Sequence, residues 1–506
     1  MTVDLTTFET VCQRMRQAAL YTSSADALEW DERTGMPAAA GEYRADQVAE
    51  LRSAAHALKT GAAYGEALAT LKDQLDDEDP HGDISTTIRE LHRDWCRDSR
   101  LPVDLVARLS VATVRGQQAW DAARKNDRFG DFRGALEQII TLKRDVGQRL
   151  AEGTSSSAYE ALMDEYEPGA SVAALTPVFA DLKQRLTDLI TRITDAPRQP
   201  RVELLSREYP IDAQRRFSAQ IAHAVGFDFD RGRLDETSHP FCTTLGPQDC
   251  RILTRYEANW FPGGFFGTLH EAGHGMYEQG LRDDWFGLPP GSYVSLGIHE
   301  SQSRLWENQV GRSLPFWKWL YPSAKSAFPD ALDEVSLDEL YFAVNHVRPS
   351  MIRVEADEAT YNLHILIRFE LEQALISGDL SVDELPMAWN EQYQRCLGIQ
   401  PSNDAEGVLQ DVHWSAGLFG YFPTYTLGNL AAAQLYAAAV TDMPDLEHDF
   451  SRGEFERLLH WLCERVHRHG RCYSGAELIK NATGDELSAD HLMDYLESKL
   501  TPLFGL

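Results

Sequence analysis

The chain has 506 residues and a formal net charge of −30, from 48 Lys and Arg against 78 Asp and Glu, with 43% hydrophobic and 25% charged residues. That composition describes a folded globular protein with room for a large core, not a disordered chain. Its acidity argues against a non-sequence-specific nucleic-acid binder and against docking on an anionic membrane, both of which need clustered basic residues.

The first residues, Met1 to Glu9, place acids where a secretory signal carries bases, and no apolar stretch follows them. From there most of the chain reads as helix. Leu175, Phe179, Leu182, Leu186, Leu189, Ile190 and Ile193 repeat at the spacing of one buried helical face, with Thr176 and Pro177 as the expected N-cap and first helical residue. The segment Asp195 to Pro200 holds two prolines and reads as a connection between an N-terminal helical half (1–200) and a second half (201–506) of a single domain spanning 1–506. Phe241 to Leu245 and Cys250 to Tyr256 are β-prone around the turn-like Gly246-Pro247-Gln248-Asp249, which predicts a hairpin. A glycine-rich aromatic segment from Trp260 to Gly267 leads into a helix starting near Phe266. The longest nearly apolar run, Leu430 to Val440, is broken by Gln434 and is too short to span a bilayer. Phe455, Leu458, Leu459, Leu462 and Val466 form a last stripe that stops at Gly470. The expected class is mainly α with a small sheet. Seven scattered cysteines, Cys12, Cys96, Cys242, Cys250, Cys396, Cys463 and Cys472, form no C-x-x-C pair and read as free thiols of a cytoplasmic protein.

The chemistry is concentrated in His270-Glu271-Ala272-Gly273-His274, a match to H-E-x-x-H. Positions i and i+4 share a helix face, so both imidazoles can point at one metal ion. Two imidazoles and a carboxylate suit zinc and leave a position open for water. Glu271 lies about 100° round the helix from His270, in reach of that water's proton. The third ligand must come from elsewhere, because the positions three and six past His274 hold Tyr277 and Gly280 and not the Gly and His of the metzincin pattern. Glu300 is the preferred third ligand, on a helix with Gly297 near its start. Glu307, two turns on along the same face, is the competing ligand and a candidate acceptor for a ligand imidazole.

These residues sit among further motifs. They are His239-Pro240-Phe241; Asp249, Arg251 and Thr254 around Cys250-Arg251-Ile252-Leu253; His299-Glu300-Ser301-Gln302; Ile352-Arg353 with Ala356-Asp357-Glu358; and Gly407 with Gln410-Asp411-Val412-His413-Trp414. Leu28 to Pro37 and Glu477 to Gly484 extend the match toward both ends. Together they make the chain resemble the thermostable zinc carboxypeptidases of the carboxypeptidase Taq family. The resemblance implies a mostly helical, neurolysin-like fold with a deep groove, a homodimer, and removal of single C-terminal amino acids from peptides. It implies zinc or cobalt held by His270, His274 and Glu300, Glu271 as general base, and substrate-side roles for Asp249, Arg251 and Gln302. The family's D-x-R-x-T pattern is broken here, where Leu253 stands in place of its threonine and Thr254 follows.

A carboxypeptidase must recognise a terminal carboxylate, and a guanidinium is its best partner. Arg353 is the first candidate and Arg348 the second; an i,i+4 pair of Arg353 with Asp357 on a helix is the purely structural alternative. A donor to the transition-state oxyanion is sought in Phe419 to Tyr425, with Tyr421 preferred over Tyr425 and His413 as a substrate contact. His460, His467, His469 and Cys472 cluster near the C-terminus without matching a zinc spacing. Two other functions remain open: an oligoendopeptidase on the same fold, and a non-catalytic peptide-binding scaffold with a structural metal.

Overall fold

The computed structural model describes residues 3–76 and 78–506. Before the sheet run α1 (Leu5–Thr34), α2 (Gly41–Thr60), α3 (Ala62–Lys72), α4 (Asp83–Ser99), α5 (Val103–Asn126), α6 (Gly130–Ala151), α7 (Ala158–Met163), α8 (Val172–Thr194) and α9 (Ile211–Val225). The strands β1 (Gly232–Glu236), β2 (Phe241–Gly246) and β3 (Asp249–Thr254) follow, then α10 (Phe261–Gly280) and α11 (Leu296–Arg304). The remainder is helical again: α12 (Leu314–Ala327), α13 (Pro329–Leu332), α14 (Leu337–Val344), α15 (Tyr361–Ser377), α16 (Leu385–Leu397), α17 (Pro423–Asp442), α18 (Leu446–Phe450), α19 (Glu456–Arg465), α20 (Gly475–Thr483) and α21 (Asp490–Phe504). The class is mainly α with one small sheet.

All seven apolar residues of the α8 stripe are buried. The helix starts earlier than the Thr176-Pro177 signal suggested: Ser171 is the N-cap, accepting from the Ala174 amide, and Pro177 lies inside the helix. The β2–β3 hairpin forms as expected, antiparallel, with Gln248 at φ 67° in its turn. The third strand, β1, has no strong β pattern in sequence; it pairs in parallel with β3, giving the order β1-β3-β2. That pairing sets Arg233 directly across from Arg251. The like charges are offset by Asp235 and Asp249, and the ring of Trp30 from α1 lies against both guanidiniums, 5.0 and 4.1 Å from its centroid.

The glycine-rich stretch expected to precede the helix of His270 and His274 is instead its first two turns, opened by Pro262. Glycine costs about 1 kcal/mol relative to alanine inside a helix, and here it permits close packing. At Gly273 a Cβ would stand 2.6 Å from the Gln302 carbonyl oxygen and from Ser303 Cα, so α10 and α11 touch backbone to backbone.

Two large cores flank α17. One joins α5, α6 and α8 to α15, α16 and α21; the other joins α9, β3, α10, α11 and α12 to α19. Leu427, Leu430 and Ala433 of α17 enter the first, and Ala431, Ala432, Leu435 and Ala439 the second. Being buried on both sides explains why this segment reads as a nearly continuous apolar run. Gln434, its one polar interruption, donates to Thr483 and to the carbonyls of Asp485 and Glu486. The connection at 195–200 therefore divides the chain but not the core, since the first cluster holds residues from both sides of it.

Candidate active site

Helices α10 and α11 bring the three expected ligands together. One side-chain donor atom from each of His270, His274 and Glu300 lies within 4.8 Å of the others. Glu300 Oε2 is 3.6 Å from His270 Nε2 and 3.5 Å from His274 Nε2, so three lone pairs face one point. The other oxygen, Oε1, is held by Arg304 Nε at 2.7 Å. Arg304 is one turn beyond Glu300, and its guanidinium stacks 4.5 Å from the centroid of Tyr361. Burial opposes ionisation of Glu300, but Arg304 and the two imidazoles hold its carboxyl well below the usual range.

Past Arg304 the helix widens into a π turn, Leu305–Val310, which carries Glu307. Its Oε2 sits 2.9 Å from His270 Nδ1 and also accepts from Arg304 at 3.1 Å. Glu307 thus takes the place of the imidazole acceptor that sequence left open to it, and Glu300 the place at the donor cluster. With Nδ1 donating to a carboxylate, His270 keeps the Nε2 lone pair free. Burial also disfavours charge on Glu307, yet Arg304 and His270 hold it at about 2.

Glu271 is buried, and among the described residues its Oε2 has no hydrogen-bond partner. Burial pushes this carboxyl up to about 7. An orphaned carboxylate oxygen beside two nitrogen donors and one oxygen donor fits a divalent cation with a water next to it.

Two helices and one distant carboxylate fix α11. A Cβ at Gly428 of α17 would stand 2.5 Å from Glu300 Cγ and 2.6 Å from its Cβ, so Glu300 is seated against bare backbone. Ser295 caps the helix through the Ile298 amide. Glu167, from the N-terminal half, accepts from the Gly297 amide at 2.5 Å and from Thr424 of α17 at 2.6 Å.

The remaining candidates are placed as follows. Gln302 is fully buried beneath α11, where its Oε1 meets His467 Nε2 at 2.9 Å. Asp249 and Arg251 pair with each other, with both contacts at 3.0 Å, under Trp30. Arg353 does not sit on a helix with Asp357: it starts a short 3-10 turn, Arg353–Glu355, while Asp357 accepts from the amides of Ala359 and Thr360 in the turn ahead of α15. Arg353 instead meets Asp411 at 2.9 Å and the Tyr361 hydroxyl at 3.0 Å. Arg368, with no exposed surface, holds the other oxygen of Asp411 at 2.6 Å. Two buried guanidiniums around one carboxylate leave one positive charge unneutralised. Arg348 is exposed, and among the described residues its guanidinium makes no ion pair or hydrogen bond. His413 Nε2 is 3.4 Å from the Tyr425 hydroxyl, its Nδ1 lies 3.8 Å from Asp411 Oδ1 with no hydrogen-bond partner among the described residues, and burial pushes its pKa down to about 4. Tyr421 packs against His413 and Tyr425, with ring centroids 5.4 Å away in each case. Of the C-terminal group, His467 is the buried partner of Gln302 and His460 is exposed.

Sequence reasoning passed over three residues. Arg304 is i+4 from Glu300. Glu278 is one turn past His274 on the face that carries His270. His299 precedes Glu300, and its Nδ1 lies 2.5 Å from His274 Nδ1. The i, i+4, i+8 series His270, His274, Glu278 was the available signal.

A helix-borne H-E-x-x-H whose imidazoles converge with a buried carboxylate from a second helix defines a metallopeptidase. The profile of the carboxypeptidase Taq (M32) metallopeptidases matches residues 10–500. The chain is 43% identical to thermostable carboxypeptidase 1 of Thermus thermophilus over 98% of its own length and 99% of that protein's. It is 38% identical to carboxypeptidase 1 of Bacillus subtilis, with 97% of each chain covered. The crystal structure of the M32 carboxypeptidase from Deinococcus radiodurans superposes with a TM-score of 0.95 at 38% identity, over 99% of this chain and 100% of that one. The chain belongs to the carboxypeptidase Taq (M32) family and is a metallocarboxypeptidase acting on peptides.

Proposed function

We propose that the protein releases single C-terminal amino acids from peptides with a free C-terminus, using zinc held by His270, His274 and Glu300, with cobalt able to replace it. The observation that carries this reading is the convergence of those three donors within 4.8 Å beside the unpartnered oxygen of Glu271. Zinc supplies Lewis acidity toward a carbonyl and toward water when bound. Glu271 takes the proton of the attacking water and delivers it to the departing amine. Its depressed acidity suits both halves of that cycle. Tyr421 donates its hydroxyl to the developing oxyanion, with Tyr425 as the alternative donor, and His413 contacts the substrate. Arg353 faces the peptide carboxylate with the unneutralised charge of the Arg353–Asp411–Arg368 group, and Arg348 is the second guanidinium available to it. All seven cysteines are free thiols, which suits a reducing cytoplasm.

The test is incubation of metal-replete protein with one peptide as free acid and as C-terminal amide, followed by mass spectrometry. A ladder of single losses from the acid alone is expected. Glu271→Gln should retain the metal and lose about 10²–10⁴-fold in turnover. Internal cleavage of both forms would transfer the chemistry to an endopeptidase, and no cleavage of either would overturn the catalytic reading.

A further inference from the structure

We infer that Thr244, Glu278 and His299 form a positioning relay that fixes which nitrogen of His274 faces the metal; this rests on the metal site proposed above. His299 sits 2.5 Å from His274 through the two Nδ1 atoms, and its Nε2 is 2.9 Å from Glu278 Oε1. Glu278 Oε2 accepts from the Thr244 hydroxyl of β2 at 2.8 Å. The protons in this chain have one neutral arrangement. A carboxylate only accepts, so His299 Nε2 donates to Glu278. A neutral His299 then carries no proton on Nδ1, which accepts. His274 Nδ1 therefore donates, and its lone pair lies on Nε2, the atom 3.5 Å from Glu300.

The two ligand imidazoles reach the same state by different means. His270 donates to the carboxylate of Glu307 directly, while His274 reaches a carboxylate through a second imidazole. The extra ring also fixes rotation, since His299 packs at 4.5 Å against His274 and at 5.3 Å against Tyr277 by ring centroids. The relay ends on β2, an edge strand of the sheet, so one strand edge and one metal ligand share a hydrogen-bonded connection. Supporting partners of this kind alter metal affinity by about 10–100-fold when removed.

The test compares His299→Leu, which removes the acceptor, with His299→Asn, whose Oδ1 can replace it near the Nδ1 position. Zinc dissociation constants are measured by competition with a chromophoric chelator, and apo-protein unfolding is followed in parallel. The Leu variant should bind zinc about 10–100-fold more weakly. The Asn variant should recover most of that loss, and both should unfold alike without metal. Equal, wild-type zinc affinity in both variants overturns the relay, as does equal weakening of both. Selective ¹⁵N labelling of histidine in the wild-type apo protein gives an independent reading, because a His274 protonated on Nε2 also overturns it. Wild-type protein that binds no zinc, or binds it unchanged after His270→Ala, removes the metal site itself and the relay with it.

Discussion

Gly428→Ala adds one methyl group facing Glu300, the proposed third ligand, where the structure leaves no space. The new Cβ would lie 2.5 Å from Glu300 Cγ, 2.6 Å from Glu300 Cβ and 3.2 Å from the Glu300 carbonyl carbon. Ordinary carbon contacts are about 3.5–4.0 Å, so roughly 1 Å must be found. The Glu300 side chain has little freedom to yield, because Arg304 holds one oxygen and Ser303 donates to the other at 3.2 Å. Nor can α11 shift freely, because Gly273 of α10 holds it at backbone contact through Gln302 and Ser303. The shift therefore falls on the donor cluster. Overpacking of this kind costs about 1–3 kcal/mol, against which the better helix propensity of alanine returns up to about 1 kcal/mol. The net effect on apo stability is about 0–3 kcal/mol of destabilisation. The larger effect is functional, since a misplacement of about 1 Å in an active site can cost around 10²-fold. Zinc affinity from chelator competition, kcat on a free-acid peptide, and denaturant unfolding of the apo protein measure the three quantities. Gly428→Ala with wild-type zinc affinity and wild-type kcat would refute the argument that α17 seats the ligand.

Arg353→Ala removes the excess charge around Asp411 while leaving Asp411 paired with Arg368; kcat/KM on free-acid peptides should fall about 10–100-fold, the range of one charge-assisted hydrogen bond. Arg348→Ala, on an exposed side chain, should change stability by less than about 0.5 kcal/mol and affect acid peptides less; the reverse ranking in a peptide assay would move the carboxylate contact to Arg348. The buried carboxyl of Glu372, which accepts from Tyr159, Trp414 and the Gly420 amide, is pushed by burial up to about 7 from an ordinary 4.5. A raised folded pKa means that its contribution to stability is full below about pH 4.5 and is lost as pH rises through about 7. Between pH 5 and 8 the Glu372→Gln variant should accordingly gain up to about 3 kcal/mol on the wild type in denaturant unfolding; a stability difference independent of pH would refute this.

The helical architecture was legible wherever one face alone is buried. The α8 stripe is an example: seven apolar residues at helical spacing all proved buried. Legibility failed where tertiary packing overrides local preference. The glycines from Gly263 to Gly267 look like a loop, yet they open α10, where Gly264 lies against Tyr256 and Gln214. β1 has Gly232, Arg233 and Asp235 in place of a β-prone pattern, and it exists because its neighbour β3 offers a free edge. At the site, the shared face of His270 and His274 was readable because helical spacing constrains it, whereas Glu300 sits on a second helix and was preferred with Glu307 as its competitor. The partner of Arg353 was not, because Asp411 is 58 residues away and no local rule connects them. The same holds for Glu167, which reaches Gly297 across 130 residues.

The Arg353–Asp411–Arg368 group has a consequence for how ionic strength acts on the enzyme. The molecule carries a net charge of −30, mostly presented to solvent, where a Debye length of about 8–10 Å governs its reach. An acidic peptide approaching at low salt is repelled by that surface, and added salt weakens the repulsion. The guanidiniums of Arg353 and Arg368 are shielded from mobile ions by burial, so their pull on a carboxylate survives the same addition. Salt thus removes the opposing field while leaving the attracting one in place, and hydrolysis of acidic peptides should quicken as the medium becomes more saline.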